Sequence, residues 1–318
     1  MGTRNMKLCY IKGAVMNLSV IQQAVLFGIF LVFSFSCLAG GKVKKSQKAQ
    51  TVIHAELVVK NCTAEIMLND IPIERLDGKE WPRISEPVAT NLKDGINRLE
   101  LVINPGTSPS TSRTDKRLLN KKGISVHARL VSYPVDVYPS DVKGDVLIDL
   151  KWEGGAEDKE QEFPVILQGE ADLGKQYGEW IWANAEKITL DEKTITEING
   201  IIRTIHSAYS AGNSEPINLL MKDYLFTDIS KAYGVQKPED LAREFDEYLK
   251  DLKAESPKTG WRVLPLKPEE FDFRVVGNGK LVQCLDKNWK DVIQSIDNDG
   301  DDFPFWMMLA KINGKWVI

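Results

Sequence analysis

Cysteine and histidine are scarce in this chain of 318 residues, which has four of the first and three of the second. No C-x-x-C pair and no Cys/His spacing of the zinc type occurs, so nothing in the pattern suggests a metal centre. Also missing are the G-x-S-x-G elbow, the P-loop, H-E-x-x-H and G-x-G-x-x-G, and with them the chemistries those motifs carry. Carboxylates are plentiful, yet no two stand out as a glycosidase dyad. Excess positive charge is lacking too. The formal net charge is −4, and nothing acidic precedes Glu56. Removing a leader that contains Arg4, Lys7 and Lys12 takes three positive charges from that −4 and leaves −7. An acidic body offers no electrostatic footprint for nucleic acid, and no cofactor is implied. Long apolar runs are confined to the first fifty residues.

That early segment has the three parts of an export signal: a basic start (Arg4, Lys7, Lys12), an apolar run from Ala24 to Phe35, then small residues. The run is about a dozen residues, short of the roughly 20 a membrane-spanning helix needs. Within "SFSCLAGG", Cys37 preceded by Ser36 resembles a bacterial lipobox, in which the cysteine is lipidated and becomes the first mature residue. Ser34 stands where that motif usually has leucine. The alternative is ordinary cleavage before Gly40, which would give a soluble periplasmic or secreted protein. The lipoprotein reading makes 1–39 a leader and 40–50, "GGKVKKSQKAQ", a flexible basic tether.

From 51 to 190 the chain reads as short strands between turns. "TVIHAELVVK" alternates, with Ile53, Ala55, Leu57 and Val59 on one face and His54 and Glu56 on the other. "TAEIMLNDIPI" turns at Asn69-Asp70, and "DGINRLELVINPG" opens on an Asp94-Gly95 turn signal. "ISVHARLVSYPV", "DVLIDLKW", "QEFPVILQG" and "EWIWA" continue the series. About seven such strands predict an all-β antiparallel sandwich.

The period changes after 190. A capping box is expected at Thr194 with Glu197, followed by Ile195, Ile198, Ile202, Ile205 and Tyr209 on one helical face. Ser214 can cap a second helix, and Pro238 with Glu239 and Asp240 starts a third whose stripe is Leu241, Phe245, Leu249 and Leu252. Beyond Gly260 come "WRVLPL", "FDFRVV", "KLVQCLD", "KDVIQSI", "FPFWMMLAKI" and "KWVI", with hairpin signals at Gly277-Asn278-Gly279 and Asn313-Gly314. Three helices followed by a curled antiparallel sheet ending in "AKINGKWVI" resemble the nuclear-transport-factor-2-like, or cystatin-like cone, superfamily. That resemblance covers 191–318, rests on order and texture, and implies an α+β cone-like domain that often encloses a pocket.

The pocket it implies makes His206 the first residue to consider as an acid or base, with Tyr209 beside it, although no carboxylate is placed to pair with the imidazole. His54 and His127 fall on polar strand faces. Trp180 and Trp182, two apart on an expected strand, would form a sugar-stacking platform or pack inward. The loop from Gly106 to Gly123 carries Arg113, Lys116, Arg117, Lys121 and Lys122 against Asp115, a basic surface for an acidic partner or a mobile solvated loop. Cys62 and Cys284, one in each expected domain, are either an inter-domain disulfide or two buried thiols. "DNDGDDF" at 297–303 mimics the start of a calcium loop but has Trp306 where the closing glutamate belongs, so a solvated turn is expected and no metal.

The expected function is therefore an exported, envelope-associated and non-enzymatic binding or accessory protein. It would hold a protein partner or a small ligand, in one version as an immunity-type lipoprotein anchored through Cys37. The alternatives are an enzyme using His206 in the cone, or a glycan-binding module using Trp180 and Trp182.

Overall fold

The computed structural model describes residues 51–78, 83–135, 137–154, 160–175, 177–234 and 236–318. The leader, the tether and Cys37 lie outside the described residues.

Among the described residues the first half contains ten strands: β1 (Thr51–Lys60), β2 (Thr63–Leu68), β3 (Ile71–Asp77), β4 (Arg83–Pro87), β5 (Ile96–Ile103), β6 (Arg117–Leu119), β7 (Ile124–Pro134), β8 (Asp145–Gly154), β9 (Gln161–Phe163) and β10 (Val165–Asp172). Two four-stranded antiparallel sheets result, in the orders β4-β1-β7-β8 and β10-β5-β2-β3. The alternation read in β1 places Ile53, Ala55, Leu57 and Val59 in a core shared with Ala64, Ile66 and Leu68 of β2 and with Leu99, Leu101 and Ile103 of β5. Period-2 patterning of this kind is what lets each sheet bury one face against the other. Asn69 and Asp70 both take positive φ, 54° and 68°, the left-handed pair that joins β2 tightly to β3. "QEFPVILQG" is not one strand. Pro164, with no N–H to offer a ladder, separates β9, which pairs with β6, from β10, which pairs with β5.

The second half opens with helix α1 (Glu192–Ala211), whose cap is Asp191 and not Thr194. The Asp191 carboxylate accepts from Thr194 N at 2.7 Å, so the acidic residue just outside the helix outcompetes the threonine expected to do this. Glu197 then turns sideways to accept from Lys311 Nζ at 3.0 Å and Trp316 Nε1 at 2.8 Å. Ile198, Ile202, Ile205 and Tyr209 are buried as expected, but Ile195 is exposed at 36%. The second helical segment is α2 (Glu215–Met221), a π-turn over Lys222–Phe226 and α3 (Thr227–Tyr233). Ser214 sits at its N-cap position without capping it, and instead donates to Asp246 Oδ1 at 2.5 Å. Helix α4 (Pro238–Thr259) starts with proline at N1, buries Leu241, Phe245 and Leu249, and ends on Gly260 at φ 69°.

The strands that follow are shorter than expected at the margins: β11 (Arg262–Val263), β12 (Phe271–Val276), β13 (Leu281–Asp286), β14 (Ser295–Ile296), β15 (Met308–Ile312) and β16 (Lys315–Val317). A four-stranded antiparallel sheet runs β12-β13-β15-β16, and β11 pairs with β14 separately. All six residues of β13 are buried, because this sheet is covered on both faces. Val282 and Cys284 enter the core under the helices. Leu281 faces the other way, into a second apolar cluster with Met67 and Ile71 of the first half. The chain is thus a mixed structure: antiparallel sheets in the first half, helices and one more antiparallel sheet in the second. Among the described residues no helix is long and apolar enough to cross a membrane.

Candidate functional site

The joint between the halves holds most of the polar chemistry. On β2, every second side chain points away from the shared core, so Glu65 and Met67 face outward toward the second half. Glu65 is 1% exposed and Arg274 of β12 is 7% exposed. Arg274 Nη1 donates to Glu65 Oε2 at 3.1 Å and Nη2 to Oε1, a bidentate pair. Ser112 Oγ donates to the same Oε2 at 2.8 Å, and Arg274 Nε donates to Gln283 Oε1 at 2.5 Å. Trp289 lies between two guanidinium groups, with Arg75 at 4.5 Å and Arg274 at 5.2 Å from its ring. Its φ of 68° is costly for so bulky a residue, so the surrounding joint must hold it there. A backbone clasp completes the seam: Gly277 N donates to Asp70 O at 2.8 Å and Asn278 N to Asp70 Oδ2 at 2.7 Å.

The basic loop takes part in this joint rather than standing apart from the fold. Arg113 pairs with Asp70 at 2.7 Å and Glu100 at 2.6 Å. Ser110 N donates to Asp272 Oδ2 at 2.9 Å, fastening the loop to β12. Lys116 pairs with Glu162 at 2.7 Å, Arg117 donates to Pro105 O at 2.5 Å, and Lys121 donates to Asn104 Oδ1 at 3.1 Å. Lys122 accepts from Asn61 Nδ2 through its carbonyl at 3.4 Å. The side chains of Arg113, Lys116, Arg117 and Lys121 are thus committed within the chain. Sequence patterning cannot show this, because the acidic partners come from the turn between β2 and β3, from β5 and from β9.

Trp180 and Trp182 require a correction. "EWIWA" forms no strand: Trp180 caps a 3-10 turn over Ile181–Asn184. The two rings are 2% and 6% exposed. Trp180 Nε1 donates to Leu92 O, and Trp182 Nε1 donates to Thr90 O at 3.0 Å. Lys231 covers the Trp180 ring at 4.7 Å. Buried rings with satisfied indole N–H groups cannot present a flat platform to a sugar.

The disulfide is also corrected. Cys62 and Cys284 are free, buried thiols, Cys62 in the core between the first two sheets and Cys284 under the helices. Burial pushes the Cys62 thiol up to about 11 and raises Cys284 further.

His206 and Tyr209 do not form an acid–base pair. His206 is half-buried, and its Nε2 is bonded to the carbonyl of Leu264 at 2.8 Å. Tyr209 is fully buried, edge-on to Trp261 at 5.4 Å and Phe305 at 5.5 Å. Burial raises its hydroxyl to about 12. These rings belong to the buried cluster under the helices. His54 bonds Ser85 Oγ at 3.1 Å and His127 bonds Asp149, both on the outward face of the first sheet. In the 297–303 turn, Asp297 Oδ1 accepts from the amides of Asp299 and Asp301 at 2.9 Å each. The carboxylate there closes a loop, as short Asx turns do.

One open cavity of about 330 Å³ lies on the joint, lined from the first half by Asn69, Lys93 and Asp94, from the second by Asn278 and Lys280, and by the Trp180–Ala183 turn between them. Lys280 Nζ donates to Ala183 O, and Asp94 Oδ1 accepts from Tyr177 N and Gly178 N at 2.9 Å each. Lys93 is exposed, and among the described residues its ammonium has no hydrogen bond or ion pair. No sequence signal pointed to this cavity, since its walls come from segments far apart in the chain.

No family model matches the chain, and neither a curated protein nor a solved structure matches it.

Proposed function

We propose that this is an exported, non-enzymatic binding or accessory protein of the cell envelope, anchored through a lipid on Cys37. In this reading 51–190 is a β-sandwich and 191–318 a cone-like domain fixed rigidly upon it. The ligand or partner is taken up at the cavity on their joint. The supporting observation is that cavity, walled by both halves and carrying the uncommitted ammonium of Lys93. Cavities at such joints are a usual place for ligand sites, because two rigid bodies can shape a concave wall that neither has alone. The interior of the cone-like domain supports the same choice, since aromatic side chains already fill it.

A photo-crosslinking amino acid placed at Lys93 in the full chain, expressed in its own envelope, tests this directly. Capture of a small molecule or a protein at Lys93, with none from the same crosslinker at exposed Leu219, is the expected result. Equal capture at both positions, or none at either, overturns the joint as the binding site. Mass spectrometry of the mature N-terminus tests the anchor: an acylated Cys37 is expected, and a free Gly40 or an intact Met1 rejects it.

A further inference from the structure

We propose that the cavity on the joint takes a small acid with a single carboxylate, held between the ammonium groups of Lys93 and Lys280. This rests on the reading of that cavity as the ligand site. Lys93 stands before β5 in the first half and Lys280 before β13 in the second, and both line the cavity. A carboxylate that gives one oxygen to each therefore bridges the halves.

The turn that carries Lys93 is fixed from behind. Asn97, with no exposed surface, accepts from Lys93 N at 2.9 Å and donates to Lys93 O at 2.8 Å and Gly95 O at 3.0 Å. Trp180 Nε1 donates to Leu92 O, and Gly95 N donates to Gly174 O at 2.8 Å. With that backbone pinned, the ammonium of Lys93 is offered from a rigid support, so binding costs little backbone ordering. Lys280 is placed as firmly. Its Nζ donates to Ala183 O, which fixes the side chain and still leaves N–H groups for a ligand.

The lining selects for a carboxylate over a phosphate. Phosphate groups are usually ringed by backbone amides or clasped by arginine. Among the described residues the lining contains no arginine, and its amides are spent. Gly277 N and Asn278 N donate to Asp70, Lys280 N to Val276 O, Gly178 N to Asp94, and Ala183 N to Trp180 O. The two ammonium groups are then the donors for a ligand, matched in number to the oxygens of one carboxylate. Asp94 and Glu179, also in the lining, oppose a second negative group by like charge. Trp180, Trp182, Ala183 and Gly277 supply apolar wall, which suits a hydrocarbon body. A volume of about 330 Å³ is at the lower end for ligand sites, so that body is compact.

NMR of the full chain, grown with lysine isotopically labelled at Cε so that every ammonium keeps its donors, tests this. Lys93→Gln and Lys280→Gln assign the two signals. Isobutyrate and N-acetylalanine should shift both signals together and saturably, whereas isobutyramide, the uncharged counterpart, should shift neither. Inorganic phosphate should bind more weakly than either acid. Each substitution should weaken binding of the acids by about tenfold or more, the loss of one hydrogen bond to a charged group. Phosphate or isobutyramide binding as well as the acids overturns the proposal, as does the absence of a saturable shift with either acid. Acid binding that survives both substitutions unchanged overturns it too. If Lys280→Gln does not fold, Lys93→Gln, at an exposed position, decides with the wild-type comparison. Crosslinker capture at Lys93 of a molecule without a carboxyl group overturns this inference and leaves the joint standing as the ligand site. No capture there overturns both.

Discussion

Arg274 and Glu65 form a bidentate pair across the joint, and among the described residues it is the only ion pair with both side chains less than a tenth exposed. One partner is on β12 and the other on β2, more than two hundred residues earlier in the chain. Burying both charges is expensive, and their attraction roughly offsets that cost only because Ser112 and Gln283 supply the remaining hydrogen bonds. The pair therefore specifies how the halves meet more than it adds stability.

This makes a double-substitution test informative. Arg274→Met leaves a buried carboxylate without its partner and should cost about 3–5 kcal/mol of unfolding free energy. Adding Glu65→Met should recover most of that loss. Urea unfolding of the two proteins checks it. A double variant as unstable as the single would mean that the pair itself contributes the stability.

Tyr209 carries a buried hydroxyl with no hydrogen bond of normal geometry, although Ser295 lies close by. Ser295 Oγ is committed elsewhere, donating to Phe303 O at 2.6 Å and accepting from Trp261 Nε1 at 3.0 Å. Tyr209→Phe should accordingly leave stability unchanged or raise it by up to about 1 kcal/mol. A loss larger than that in thermal unfolding would show that Ser295 does hold the hydroxyl.

The two thiols should be inert in the folded chain. At pH 8, iodoacetamide should leave Cys62 and Cys284 unmodified, because burial keeps both protonated and out of reach. Denaturant without reductant should make both reactive, as peptide mapping would report. Labelling that required reductant would mean they are disulfide-bonded.

Asp228 gives a pH effect. Its carboxylate is 3% exposed and accepts from Ile181 N at 3.0 Å, tying α3 to the turn that carries Trp180 and Trp182. Burial raises it to about 6, against the opposing pull of that amide and of Lys231. A raised folded value means stability is lost as the pH climbs from about 4 through about 6, by an amount on the order of 2 kcal/mol. Asp228→Asn keeps an acceptor for Ile181 and should flatten that part of the profile. Equal slopes in the two proteins would refute the assignment.

Local physics made part of this fold legible before any coordinates. Alternation placed Ile53, Ala55, Leu57 and Val59 inside, helical spacing placed Ile198, Ile202, Ile205 and Tyr209 inside, and Asn-Asp and Asn-Gly pairs marked their turns. These are short-range effects, set by side-chain period and by which residues tolerate positive φ. Competition between neighbours was already harder to read, as when Asp191 took the cap expected of Thr194. Everything at the joint was decided by tertiary structure. Whether a cation is free or spent, as with Arg113, depends on carboxylates brought in by other strands. Whether Trp180 and Trp182 stack on ligand or pack inward depends on which surfaces close over them. Burial of β13 on both faces and the cavity beside Lys93 exist only because the two halves meet, and the sequence carries no periodic mark of that meeting.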